Sequence, residues 1–388
     1  MVVKIKDIGE IITGNTPSKK EESYWDSEDI CFVKPDIISD TGISIIEDSN
    51  EYISKNARNR ARVVGKGTVL VTCIGSIGKV GIVSNDESAF NQQINAIVPY
   101  PTVNARYLAY AMIQARQRLE AIANAPVVPI INKTQFGDFQ INIENDVSKQ
   151  EIIVLKLDKL CAIIESRKKE LAKLDELTKA RFVELFGDPI RNEYGWKTLS
   201  LLDSLEKGRT VSYGIVQTGD DFENGVPVFR PIDIAAGHMP KREDLKKTDP
   251  LISAQYKRTL LKGNELLITV RGSVGETFQT TPEFEGCNVG RNIVPLVTEP
   301  NKINQRFLQE LFAQDPIKRW LKGITKGIAL QGLNMSEFKE MPVIMPPLEK
   351  QNSFVVFAKQ VDKSKIEVQK SLDEAQFLFD SLMQQYFG

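Results

Sequence analysis

The side chains able to make or break bonds are few in this 388-residue chain and poorly placed to do so. Its one histidine, His238, stands in a Gly-His-Met-Pro turn, which leaves histidine acid–base catalysis and multi-histidine metal binding without parts. The four cysteines, Cys31, Cys73, Cys161 and Cys287, are scattered with no CxxC pair. They read as buried free thiols rather than a zinc site or a disulfide framework. Gly75-Ser76-Ile77-Gly78-Lys79 is too short for a phosphate-binding G-x-x-x-x-G-K-[ST] loop and reads as a turn between strands. No G-x-S-x-G elbow, H-E-x-x-H pair or EF-hand loop occurs. Pro35-Asp36 and Glu337-Phe338-Lys339 hold pieces of a metal nuclease, but they lie far apart, and Asp36 and Asp233 read as braces of a turn.

What remains is recognition chemistry. Arginine, lysine and amide side chains in Gly-rich loop contexts have the donors and acceptors to pair with the edges of bases. In the N-terminal part these are Ser18, Lys19, Lys20, Arg58, Arg60, Lys79, Asn91, Gln92 and Gln93; later they are Arg209, Tyr213, Arg230, Lys257, Arg258, Arg271 and Arg291. Gly14-Asn15-Thr16-Pro17 and Tyr24-Trp25 read rather as supports of their own loop.

Charge limits how such residues would work. There are 50 Lys plus Arg against 51 Asp plus Glu, a formal net charge of -1. Residues 1–147 hold 15 basic and 18 acidic side chains and residues 188–345 hold 21 and 20, so neither is globally basic. A protein that grips phosphates everywhere is excluded; phosphate contact is local or shared with a partner. No signal peptide and no run of 18 apolar residues is present, which reads as a cytoplasmic chain that spans no membrane.

The elements that must position these residues come in two copies. CIGSIG at 73–78 returns as VRGSVG at 270–275, NKTQF at 132–136 as NMSEF at 334–338, and RFVELFG at 181–187 as LMQQYFG at 382–388. Weaker echoes fall between them in order, VKPDI (33–37) with FRPIDI (229–234) and INAIVP (94–99) with RNIVP (291–295). A period near 200 residues is that of a whole domain plus a connector, not of a solenoid. By this matching Arg271 and Arg291 stand where the first copy has Ile74 and Ile94 or a neighbour, so two domains on one frame would present different polar loop residues.

The chain divides into residues 1–147, 148–187, 188–345 and 346–388. The first and third hold nearly all the Gly and Pro, with short β-branched runs at 68–74 and 265–270, and read as strand-rich domains. Residues 148–186 and 349–387 contain no Gly or Pro and read as long helices, each a rod of about 58 Å. Ser148 to Glu151 has the S-x-x-E form of a capping box, and Gly187 with Pro189 ends the first helix. Ile153, Leu157, Leu160, Ile164, Leu171, Leu174 and Leu185 follow an alternating 4,3 spacing, as do Phe354, Ala358, Val361, Val368, Leu372, Ala375, Phe379 and Leu382. These are coiled-coil seams, most easily covered by each other. The expected fold is α+β, two strand-rich domains alternating with two long helices that pair antiparallel, a dumbbell of duplicated halves; the competing expectation is that each helix packs on its own domain.

These features resemble the specificity subunit of type I restriction-modification systems, over essentially the whole chain. The likeness is carried by GNTPS (14–18) with Tyr24-Trp25, GKGTVLVTCIGSIGKVGIV (65–83), Asn91-Gln92, KGNELLITVRGSVG (262–275) and MPPLEKQ (345–351). In the second copy Thr218-Gly219-Asp220 stands roughly where the first has GNTPS, and Asn288-Val289 replaces Asn91-Gln92. The resemblance implies two target-recognition domains, each reading one half of a bipartite site on double-stranded DNA, with the helices as a ruler for the gap. It implies a non-catalytic subunit that assembles with two modification subunits, which methylate adenine with S-adenosylmethionine, and with restriction subunits that use ATP and Mg. The chain itself would hold no cofactor. The alternative is a protein–protein scaffold or a degenerate paralogue that no longer reads sequence.

Overall fold

The computed structural model describes residues 1–123, 128–208, 211–235, 240–326 and 332–388. Two compact units result: Met1–Lys168 with Gln369–Gly388, and Lys169–Val368. Arg209 and His238, singled out above, lie outside the described residues. Among the described residues no helix is long and apolar enough to cross a membrane.

In the first unit a five-stranded sheet runs in the order Gly9–Thr13, Ile94–Pro99, Val69–Thr72, Val80–Val83, Ile43–Ile46. Its neighbours are antiparallel except the last pair, which is parallel. A four-stranded sheet (Tyr52–Ile53, Ile30–Val33, Ser88–Phe90, Val63–Val64) has a parallel pair at its centre. The apolar run Val69-Leu70-Val71 is fully buried because the helix Ala105–Gln114 covers one face with Tyr107, Leu108 and Met112, while Leu70 faces a second cluster around Phe90 and Ile94. The second unit reuses this plan with fewer strands. Thr277–Gln279, Leu266–Thr269 and Ile293–Leu296 form one antiparallel sheet, and Lys246–Thr248, Val226–Phe229 and Asn288–Val289 form another that again ends in a parallel pair.

Each long helix is continuous over 40 residues, Val147–Phe186 and Leu348–Phe387. The expected capping box is replaced by an earlier cap. The Asp146 carboxylate accepts the Ser148 N–H at 2.9 Å and the Asp146 carbonyl accepts the first helical bond from Gln150. Aspartate serves as an N-cap because its carboxylate meets the free N–H groups of the first turn.

The helices pair antiparallel, seen separately in each unit. In the first, the start of one meets the end of the other: Ile153, Val154 and Leu157 share a core with Met383 and Phe387, and Lys156 Nζ donates to the Tyr386 hydroxyl. In the second, Phe182 and Phe186 pack edge-on against Phe354 at 5.5 and 5.6 Å, and Lys365 pairs with Asp175 at 2.5 Å. All the seam residues named above are buried or half-buried. The two competing expectations are also joined: toward the helix ends the buried stripe turns onto Phe182, Phe186, Met383 and Phe387, which belong to the domain cores. A straight helix of 3.6 residues per turn drifts about 20° per heptad from a 3.5 repeat, so a face that begins in the seam ends on the domain.

Candidate nucleic-acid interface

Two glycines set the geometry. A Cβ on Gly14 would lie 2.1 Å from the Asn91 carbonyl oxygen, and one on Gly214 would lie 1.9 Å from that of Val289. Each lets its loop cross directly over the end of a neighbouring strand. Three of the hydrogen bonds that follow recur in both units. Asn15 N–H donates to Phe90 O and Ile215 N–H to Val289 O; Asn91 N–H donates to Val33 O and Gly290 N–H to Phe229 O. Cys73 N–H donates to Gln93 O and Val270 N–H to Asn292 O.

This register corrects three equivalences drawn from the sequence. GNTPS corresponds to Gly214 to Thr218, four residues before Thr218-Gly219-Asp220 is reached in that loop's own frame. Asn91-Gln92 corresponds to Gly290-Arg291 rather than Asn288-Val289, and Arg291 therefore matches Gln92, not Ile94. Sequence echoes were misled because Asn288 looks like Asn91 but is a fully buried strand residue, bonded to Thr259, Ser253 and Tyr256. Arg271 does match Ile74: each forms an isolated antiparallel bridge, to Gly332 and to Ile130.

The first unit gathers most of its candidates into one cluster. The Asn15 side chain donates to Arg60 O at 2.7 Å and accepts from Arg62 N–H at 2.7 Å, which ties the 14–18 loop to the 58–62 turn. The Thr16 hydroxyl donates to Gln92 Oε1 at 2.8 Å, tying it to the 91–93 loop. Ser18, Lys19, Lys20, Arg58, Arg60 and Gln92 are exposed around this knot, and Gln93 is half-buried. Several are already engaged. Arg58 pairs with Glu87 through Nε at 2.6 Å, and the two raise and lower each other's pKa through that bond. Lys19 pairs with Glu51 at 3.5 Å and lies over Trp25. Asn91 is buried, and its amide donates to Gln93 Oε1. Trp25 donates its indole N–H to Ser18 O and packs edge-on to Phe32, the loop-supporting role expected of it.

Lys79 stands apart, on the turn between Val69–Thr72 and Val80–Val83, with its side chain 12% exposed and paired to Asp40 at 3.2 Å. That turn is duplicated: Gly75 and Gly78, like Gly272 and Gly275, have φ between 77° and 91°, and Thr72 and Thr269 each accept the N–H of the residue that closes it. In the second unit Arg271 begins the turn, with its guanidinium against Gly332. Tyr213 and Arg291 flank the Gly214 crossing. Arg230 lies beside it but is clamped by Asp233, Nε to Oδ2 at 3.2 Å and Nη2 to Oδ1 at 3.0 Å. Lys257 and Arg258 are exposed on a short turn held by Asn288.

Sequence reasoning passed over three residues. Arg62 and Lys133 line a groove with Arg58, Asn59 and Glu10 along the free edge of the strand Gly9–Thr13, and Thr16 orients Gln92. The alternation Arg58-x-Arg60-x-Arg62 was a signal for the first; nothing short of the fold marks Lys133.

Burial pushes the Cys73 thiol up to about 12 and the Cys287 thiol up to about 11, so neither is a thiolate near neutrality. Cys31 is buried and Cys161 half-buried. Among the described residues no three His, Cys, Asp or Glu side chains group as a metal site.

Residues 1–176 and 195–375 match the family model described as the type I restriction modification DNA specificity domain. The chain is 24% identical to the type I restriction enzyme EcoBI specificity subunit of Escherichia coli, across 77% of this chain and 68% of that one. It is 26% identical to the MjaIX specificity subunit of Methanocaldococcus jannaschii, across 96% and 90%. The S subunit of a type I restriction-modification system from M. genitalium shares the fold with a TM-score of 0.57 at 15% identity, covering 100% of this chain and 96% of that one. A chain from a structural study of assembly and conformational transition in the type I R-M system gives 0.61 at 16% identity, covering 100% and 97%. With both strand-rich domains and most of both long helices inside the matched ranges, the chain belongs to the type I restriction-modification DNA specificity family.

Proposed function

We propose that this chain reads a bipartite sequence on double-stranded DNA for a type I restriction-modification complex, one half-site per strand-rich domain. The observation that carries the reading is the repetition of one loop crossing, at Gly14 and Gly214, with different exposed polar side chains placed on it. A frame kept constant while its exposed donors change is what two readers of two sequences require.

In this reading the chain is non-catalytic and cytoplasmic and holds no cofactor. Two modification subunits methylate adenine with S-adenosylmethionine, and restriction subunits supply ATP- and Mg-dependent cleavage. The long helices support the two-fold stoichiometry. Leu155 and Leu378 are exposed in the first unit, 60% and 48%, and Val356 and Leu177 in the second, 57% and 47%. These are the same two helix positions in each copy, so each unit offers one equivalent apolar pair to an identical partner. Partner subunits that close around the duplex also explain the net charge of -1, since they share the neutralisation of phosphate.

The test is methylome sequencing of cells that express this chain with its cognate modification subunit. One bipartite adenine-methylated motif is expected. Methylation without such a motif, or none while the complex assembles, refutes the reading.

A further inference from the structure

Building on that DNA-reading role, we propose that Gln92 and Arg291 occupy one and the same base-reading position, with Gln92 selecting adenine in the first half-site and Arg291 selecting guanine in the second. The equivalence rests on backbone bonds, not on sequence likeness. The residue before each donates its N–H to the last residue of the adjacent parallel strand, Val33 or Phe229, and two residues after each the N–H of Ile94 or Ile293 returns to Asn91 or Gly290. Gln92 and Arg291 are both exposed. Their backbones are held by the glycine crossing, where no side chain fits, so each projects from a fixed base rather than a loose loop.

The side-chain chemistry then separates them. The Thr16 hydroxyl donates to Gln92 Oε1 at 2.8 Å and so ties that side chain to the 14–18 loop. One lone pair of Oε1 and both Nε2 hydrogens stay free, the set that complements the N6 amino group and N7 of adenine. Thr16 corresponds to Val216 in the second unit, which has no hydroxyl to give. None is required there: a guanidinium carries donors only and fits O6 and N7 of guanine without being oriented. Arg291 is also uncommitted among the described residues, whereas Arg58, Lys79 and Arg230 are spent on Glu87, Asp40 and Asp233.

The experiment is a reciprocal exchange in the full chain, co-expressed with its cognate modification subunit, read by methylome sequencing and by competition binding to duplexes varied one base pair at a time. Gln92→Arg is expected to change one base pair of the first half-site from A·T to G·C, and Arg291→Gln one of the second from G·C to A·T, the other half-site and the spacer unchanged. Gln92→Ala and Arg291→Ala should each lower discrimination at that one position by roughly ten- to a hundred-fold. If an exchange variant gives no methylation, the alanine variants decide by binding alone. An unchanged motif with unchanged discrimination overturns the proposal, as does a change spread over several positions. A wild-type complex that methylates no bipartite motif overturns the underlying DNA reading instead, and that outcome is visible before any variant is made.

Discussion

In the first unit the Tyr110 hydroxyl and the Arg106 guanidinium meet on one oxygen of Asp158, at 2.6 and 2.7 Å. In the second, the place of Tyr110 is taken by Glu310, and Arg306 bridges Glu310 at 2.6 Å and Asp362 at 2.9 Å. The task is common to both, to anchor a domain helix on a long helix through a half-buried polar contact, but the charge sits differently. Elsewhere the anchor is identical: Gln150 and Gln351, both fully buried, accept the N–H of Asn104 and Asn304 and donate to two backbone carbonyls each. The comparison separates two kinds of position. Gln150 and Gln351, whose atoms are spent on the backbone, are the same in both units; Tyr110 and Glu310, whose atoms are spent on other side chains, have diverged.

That division can be broken at its strongest point first. Gly14→Ala and Gly214→Ala each place a methyl on a backbone oxygen, and each is expected to destabilise its own unit by at least about 3 kcal/mol, at the upper end of overpacking costs. Denaturant unfolding with hydrogen exchange assigned by unit measures it. Tolerance at one glycine and not at the other would show that the crossings are not equivalent. Next, Gln150→Leu and Gln351→Leu strand buried backbone groups and should cost about 2 kcal/mol each. Similar losses in the two units support a shared anchor, and a loss confined to one removes it.

The smallest effect sharpens the difference instead. Burial raises the Glu310 pKa above its usual value, against the pull of Arg306 and with the help of Asp362. A carboxyl whose folded pKa lies above its unfolded value stabilises at low pH and loses that contribution as pH rises through the folded pKa. Second-unit stability should therefore fall as pH rises from the ordinary glutamate range, by at most about 1.4 kcal/mol per pH unit, and Glu310→Gln should flatten the profile. The first unit, with Tyr110 there, should show no such limb; equal pH profiles for wild type and Glu310→Gln would remove Glu310 as the cause.

Much of this was legible in the residues themselves. Gly- and Pro-free stretches with a 4,3 apolar spacing mark the long helices because only one periodicity satisfies them. The duplicated Gly-Ser-x-Gly turns are marked by glycines that the positive φ at Gly75, Gly78, Gly272 and Gly275 requires. The helix start was misplaced, since Asp146 caps as well as Ser148 does and only the first helical bond distinguishes them. Candidate readers chosen by residue type alone mixed free side chains such as Arg291 with committed ones such as Arg230, because the partner Asp233 is identified by geometry rather than by type.

The sequence by itself determined the duplication, the alternation of strand-rich domains with long helices, and the scarcity of catalytic groups, since composition and periodicity are local properties that a linear chain carries openly. Only the tertiary structure decided which residues of the two copies correspond. Correspondence here is set by which N–H meets which carbonyl across strands far apart in sequence, and insertions between strands shift the count of residues without moving those bonds. For that reason Gln92 finds its counterpart in Arg291, which no matching of letters pairs with it.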